Sequence, residues 1–178
     1  MNYTKLTLTS RVKSLGLPIS DFMLVGVRSG ADRPDVYDDK FYILTRGSLF
    51  TFDCTTNSGT YYLMNLMNPK GTAVLKADRC YKYKLGLHKG KEALVQAAPV
   101  EVYRDKNKDA KVDAVGPTEW GWFGINIHGA SENAVSKFIS RWSSGCTVIP
   151  NPQDFKLLIE ECKKSGQIVF NYTLLNEF

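Results

Sequence analysis

Trp122-Phe123-Gly124-Ile125-Asn126-Ile127-His128-Gly129 is the most strongly patterned segment of this chain. Phe123, Ile125 and Ile127 alternate with Trp122, Gly124, Asn126 and His128, the period-two signature of a strand with one buried face. The pattern predicts a strand over 122–128 that presents Asn126 and His128 on the same side. Eighteen positions after His128, Ser143-Ser144-Gly145-Cys146 puts a cysteine behind a Ser-x-Gly turn. A thiol becomes a nucleophile when a base or a positive neighbour takes its proton, and imidazole is the usual partner. The spacing is too long for one helix face but suits a strand end facing a loop that folds back. Cys146 therefore reads as a candidate nucleophile and His128 as its general base. The backbone N–H groups around Ser144 and Gly145 are placed to hold a developing oxyanion.

Working outward, the chain reads as mainly strands with a few helices. Residues 21–28 form a first strand. Lys40 to Leu44 and Ser48 to Cys54 flank Thr45-Arg46-Gly47, a hairpin whose glycine is expected to take positive φ. Thr72 to Leu75 and Cys80 to Leu87 flank Lys76 to Arg79, a second hairpin candidate. Ala93 to Gln96 and Val100 to Arg104 follow. One helix stands out over 152–165. It has Asn151 as N-cap, Pro152 at the first position and Asp154 in the first turn. Phe155, Leu158, Ile159 and Cys162 form its apolar stripe, and Gly166 stops it. A closing strand runs from Gln167 to Leu174. Residues 1–20 read as an arm or a short helix, and 21–178 as one domain.

Composition frames the function. At 178 residues with 43% apolar and 23% charged side chains, the chain can bury one core without staples. No stretch approaches the ~18 apolar residues of a membrane helix. The net charge of +5 is spread along the sequence without the basic, aromatic-studded stripe that nucleic-acid binding needs, so no nucleic-acid partner is expected. Cys54, Cys80, Cys146 and Cys162 show neither a C-x-x-C pair nor zinc spacing, so free thiols are expected, with Cys162 in the core.

Other residues have competing readings. Asp105, Asn107, Asp109 and Asp113 match oxygen positions of a calcium loop, but Ala110 stands where the template wants glycine and Gly116 where it wants Glu. A polar loop between strands is the favoured reading, and no cofactor is expected. His88 ends a strand at a turn and can border the cleft; a zinc set of His88, His128 and Cys146 is the less favoured alternative. Arg141 is placed to pair with a substrate carboxylate, and Trp142 is the candidate cleft aromatic among Trp120, Trp122 and Trp142. Asn126 and Ser143 complete the candidate substrate contacts.

The segment from Gly124 to Phe155 resembles the catalytic domain of the L,D-transpeptidase family. That family carries a strand ending in Ile-His-Gly, a loop of about fifteen residues, then Ser/Thr-x-Gly-Cys before a short strand and a helix; upstream, Asn68-Pro69-Lys70-Gly71-Thr72-Ala73 resembles the family's Thr-Pro-x-Gly turn before a strand. Arg104 to Asp113, Gly124 to His128 and Arg141 to Cys146 are similar to a branch found in phages and prophage-bearing bacteria, a resemblance that spans roughly residues 35 to 178. It implies a β-rich α+β fold of the L,D-transpeptidase-like β-sandwich type, with a catalytic cysteine loop. It further implies acyl transfer on peptidoglycan stem peptides through a thioester on Cys146. Two alternatives remain: a phage-type cysteine hydrolase of wall peptides, and a non-enzymatic wall-binding or virion module. One position departs from the family: the arginine two residues after the cysteine is Val148, and Arg141 is the candidate substitute. The N-terminus, Met1-Asn2-Tyr3-Thr4-Lys5, lacks the apolar core of a secretory signal. Synthesis in the cytoplasm is therefore expected, with action at the wall after export by another route or with a virion.

Overall fold

In a computed structural model of the chain, which describes residues 1–31, 33 and 35–178, the architecture is mainly β with a few helices. The elements run α1 (Lys5–Ser14), β1 (Met23–Arg28), β2 (Asp39–Leu44), β3 (Leu49–Cys54), α2 (Thr60–Met64), β4 (Thr72–Leu75) and β5 (Arg79–His88). They continue with β6 (Lys91–Gln96), β7 (Val100–Asp105), β8 (Glu119–Gly121), β9 (Ile127–Gly129), β10 (Thr147–Ile149), α3 (Pro152–Lys164) and β11 (Phe170–Asn176). Eight strands form one sheet in the order β10-β9-β6-β5-β11-β1-β2-β3, and β4-β7-β8 form a second.

The large sheet curls until its two edges meet. Thr55, just past β3, pairs with Val148 of β10 in an isolated antiparallel bridge. Each donates its N–H to the other's carbonyl at 2.9 Å. The result is a nearly closed barrel, which removes the exposed edges that an open sheet would leave. Its main core gathers Phe41, Tyr83, Ile127, Ile149, Phe170 and Tyr172 together with Ala73, Leu75, Val100 and Val102 of the second sheet. Leu158 and Cys162 of α3 join the same core. The outer face of β1 and β2 is covered separately, by Leu8 and Val12 of α1. The segment 1–20 thus contains a helix, capped by the Thr4 side chain on Thr7 N–H.

Several local expectations hold. The β2–β3 hairpin closes through Thr45 N–H on Ser48 O at 3.0 Å. Helix α3 has its Asn151 cap on Gln153 N–H and keeps Cys162 fully buried. All four cysteines are free thiols. Three expectations are corrected. Gly47 is not at positive φ, because the Thr45–Ser48 bonds close the turn in ordinary geometry. Residues 72–75 and 80–87 are not a hairpin. Asp78, at φ 56°, turns the chain from the small sheet into the large one, and β4 pairs with β7 while β5 pairs with β6 and β11. The segment 122–126 is not a strand: only Ile127–Gly129 joins the ladder.

The reason for that last difference lies in one side chain. Gln96 Oε1 accepts the N–H groups of both Phe123 and Ile125, at 3.1 and 2.9 Å, and Tyr83 OH donates to Ile125 O at 3.0 Å. Side chains satisfy backbone groups that a neighbouring strand would otherwise serve. The alternation survives without the ladder: Ile125 and Ile127 are in the core, while Trp122 and Gly124 face solvent.

A buried polar knot secures the closing segment. Asp39 accepts Ser29 N–H at 2.7 Å on one carboxylate oxygen and the N–H and hydroxyl of Thr56, at 2.6 and 2.7 Å, on the other. Arg28 donates to the Thr56 hydroxyl and carbonyl at 3.0 and 3.1 Å. Asp39→Asn turns an acceptor toward donors it must face. It is expected to cost about 3 kcal/mol, the cost of leaving charge-assisted partners unmet in a buried site. Urea unfolding of the two chains measures it, and a loss below about 1 kcal/mol would show the knot to be incidental.

Candidate functional site

His128 and Cys146 arrive on neighbouring parallel strands. In the β9–β10 register Ile127 lies beside Thr147 and His128 beside Val148. Ile127 and Ile149 point into the core, and Thr147 Oγ1 meets Tyr172 OH inside the barrel at 3.0 Å. By alternation the outward set is Asn126, His128, Cys146 and Val148. Thr147 N–H donates to Asn126 O at 3.0 Å, which extends the pairing and sets Cys146 beside Asn126, one diagonal step from His128. Such a step is roughly 7 Å, a span two facing side chains can close.

The loop between them is held by contacts remote in sequence. Ile139 N–H donates to Asp35 O at 3.1 Å, and Ser140 N–H to the Asp35 carboxylate at 2.6 Å. Ser143 O accepts from Gly59 N–H and from the Ser58 hydroxyl. Gly145 sits at φ 120°, and a Cβ there would run into the Ala73 carbonyl of β4. Only glycine lets this turn lie flat against the small sheet.

The imidazoles are locked by their hydrogen bonds. His128 Nδ1 faces Gly129 O at 2.9 Å and must donate, so Nε2 is left bare as an acceptor. That atom is shielded from solvent and has no hydrogen-bond partner among the described residues. His88 Nδ1 lies 2.9 Å from the Asn126 side-chain amide and accepts from it, which puts the His88 proton on Nε2. The two rings stack with centroids 4.4 Å apart and planes 13° from parallel. Burial pushes His128 down to about 4, with His88 and Lys89 adding repulsion against the bond to Gly129 O, and burial also lowers His88.

Cys146 is only 6% exposed. Its thiol donates to Gly124 O at 3.5 Å and accepts from Asn126 N–H at 3.4 Å. Burial raises its pKa, while the Asn126 N–H and the charge of Lys89 act the other way. The resting pair is therefore a thiol and a neutral imidazole. Cys146 forms a small buried cluster with Ala130 and Val148, and Tyr37 packs against it.

Beside this pair opens a cleft of about 600 Å³. His88, His128, Arg141 and Trp142 line it, with α3 supplying the opposite wall through Phe155 and Ile159. A Cβ on Gly129 would sit 3.0 Å from the Phe155 ring, so glycine allows the helix to close on the strand end. Arg141 is held over the Tyr61 ring at 3.9 Å, a cation–π contact that fixes the guanidinium.

The candidate residues thus divide. His88, His128, Arg141 and Trp142 share the cleft, and Asn126 joins His88 to the thiol's surroundings. Cys146 lies behind that wall and is not part of its lining. Ser143, expected to touch substrate, is instead fully buried, with its hydroxyl bonded to Cys146 O and Gly145 N–H at 2.8 and 3.1 Å. That bond also occupies the Gly145 amide, so this N–H is not free for an oxyanion; Ser144 is half-buried beside it. Position 148 is a fully buried barrel closure, which explains why it carries valine and no arginine.

The acidic loop turns on itself. Asn107 donates to Asp109 and Asp113 at 3.1 and 2.6 Å, and Asp105 accepts Asp113 N–H at 3.0 Å. His88 and His128 present their ring faces to each other. Among the described residues no group of three or more His, Cys, Asp or Glu side chains is arranged to hold a metal ion. Among the same residues no helix is long and apolar enough to cross a membrane. Sequence reading missed Gln96, Tyr61 and Lys89; a glutamine inside an otherwise apolar strand end, Val95-Gln96, was the available signal for the first.

No family model matches the chain, and no curated protein or solved structure matches it either.

His128 also shapes stability. Its folded pKa of about 4 lies below its ordinary 6.5, so between those values the unfolded chain takes up a proton that the folded chain refuses. The stabilisation is complete above pH 6.5 and is lost as pH falls toward 4, by ~3 kcal/mol for this one group. Urea unfolding from pH 7.5 to 4 is expected to show a steeper loss for the parent chain than for His128→Gln; superimposable slopes would mean that the ring is not buried neutral.

Proposed function

We propose that the protein is a cysteine-dependent acyltransferase of the L,D-transpeptidase type, acting on peptidoglycan stem peptides. The observation that carries this reading is the bare, shielded Nε2 of His128, on the same outer face as Cys146 and at the edge of a 600 Å³ cleft. A buried acceptor without a donor is costly in a purely structural role. It is the atom a general base needs. The Ile-His-Gly and Ser-x-Gly-Cys motifs and their spacing add to it.

In this reaction the Cys146 thiol swings from Gly124 O toward His128 Nε2 and gives up its proton. The thiolate forms a bond to the peptide carbonyl carbon. As the carbonyl re-forms, the C–N bond breaks and the imidazolium returns the proton to the leaving amine, leaving a thioester. An amine acceptor then attacks the thioester, loses its proton to His128, and releases the thiol in exchange. Water in the acceptor's place gives the hydrolase alternative with the same residues. Asn126 links His88 to the thiol, and Lys89 favours the thiolate.

The depth of Cys146 favours a second reading, a wall-binding module that keeps the cleft without turnover. Intact-mass measurement after incubation with purified muropeptides separates the two. The expected result is an acyl adduct on Cys146, absent from Cys146→Ala, and a rate lowered ~10²–10⁴-fold in His128→Asn. Unmodified protein that still binds muropeptides would establish the module instead.

A further inference from the structure

The charges that line the cleft do not cancel. Five are cationic and three are carboxylates. Each carboxylate already has a lysine from the same cleft: Glu132 with Lys91 at 2.9 Å, Glu92 with Lys163 at 2.6 Å, and Glu160 with Lys156 at 3.9 Å. Lys89 and Arg141 remain, with no ion pair among the described residues. The backbone of one and the guanidinium of the other are constrained. Lys89 occupies a left-handed position, φ 51°, in the tight turn that joins β5 to β6 directly after His88. Arg141 is stacked on Tyr61, which leaves its N–H edge open.

We propose that Lys89 and Arg141 form an anion-recognition pair that selects a peptide carrying two carboxylates. This deepens the acyl-transfer reading and rests on it for the choice of a peptide over other anions. Two surplus cations match two negative charges on the ligand, and the carboxylates beside the other three lysines offset their charge. The rest of the cleft suits a peptide between the charged ends. Phe155, Ile159 and Trp142 accept aliphatic surface, and His88, which lines the cleft with its proton on Nε2, offers a hydrogen-bond donor to a peptide carbonyl. Lys89 lines the same cleft as His88 and His128, so a carboxylate seated on it shares that cleft with the candidate base.

The test is an NMR titration of the full chain with N-acetyl-Ala-Glu-Leu-Ala, made in its L and its D form, and with the same peptides after both carboxylates are converted to carboxamides. At least one acidic form is expected to bind saturably. The carboxamide twin should bind about tenfold more weakly, as should the acidic form to Lys89→Gln or Arg141→Gln, the loss typical of one charge-assisted contact. Lys13→Gln, an equal charge change on α1, should leave affinity unchanged. Equal binding of acidic and amidated peptides, no binding of either acidic form, or displacement by equimolar inorganic phosphate would overturn the proposal. Repeating the titration on Cys146→Ala keeps it separate from the chemistry. Selective binding there, with no acyl adduct on the parent chain, removes the acyltransferase and leaves the anion site. An adduct formed equally well from amidated stem peptides does the reverse.

Discussion

Two hydrogen bonds between Thr55 and Val148 carry more of this structure than their number suggests. They join the first and last strands of the eight-stranded order, and so turn an open sheet into a nearly closed barrel. They also fix the segment that follows Cys146. On the Thr55 side, the Asp39–Thr56–Arg28 knot holds the next residue in a fully bonded, buried setting. A few residues on, Ser58 and Gly59 grip Ser143. Closure of the barrel and placement of the cysteine loop are therefore one event.

The polar chemistry of the site is set by burial more than by charge. Desolvation drives both imidazoles toward neutrality and the thiol toward its protonated form. No imidazolium stands ready to stabilise a thiolate at rest, so the acyl-transfer reading requires the proton to move only when substrate and thiol come together. Hydrogen bonds decide where that proton can go. Gly129 O accepts the hydrogen bond of His128 Nδ1–H and Asn126 fixes His88, leaving one bare nitrogen on the outward cysteine face. Lys89 supplies the opposing charge from a turn that also shapes the cleft.

Much of the fold was legible in local pattern. The capped helix α3, the β2–β3 hairpin and the buried Cys162 each follow from signals confined to a dozen residues. Asn126 and His128 do share a face, as alternation demands. The misreadings are equally physical. Residues 72–75 and 80–87 look like a hairpin because a short turn separates two apolar runs, yet one run is claimed by β7 and the other by β6 and β11. Residues 122–126 keep strand-like alternation while a glutamine side chain serves their amides. Ser143 reads as a site serine because of its motif, but its hydroxyl is needed inside the turn it begins.

By itself the sequence determined which segments alternate, where α3 starts and stops, and that one histidine and one cysteine sit at a strand end and a glycine turn. Those properties depend on neighbours within a turn or a pleat, and such distances are fixed by chain geometry. Only the tertiary structure decided that the sheet closes, that Cys146 lies behind the cleft wall, that His88 stacks on His128, and that Lys89 and Arg141 have no ion pair among the described residues while three lysines of the cleft do. Each of these depends on which side chain from a distant segment reaches a given atom first. Burial, tautomer and ion pairing are all settled by that competition in space, and local pattern carries no record of it.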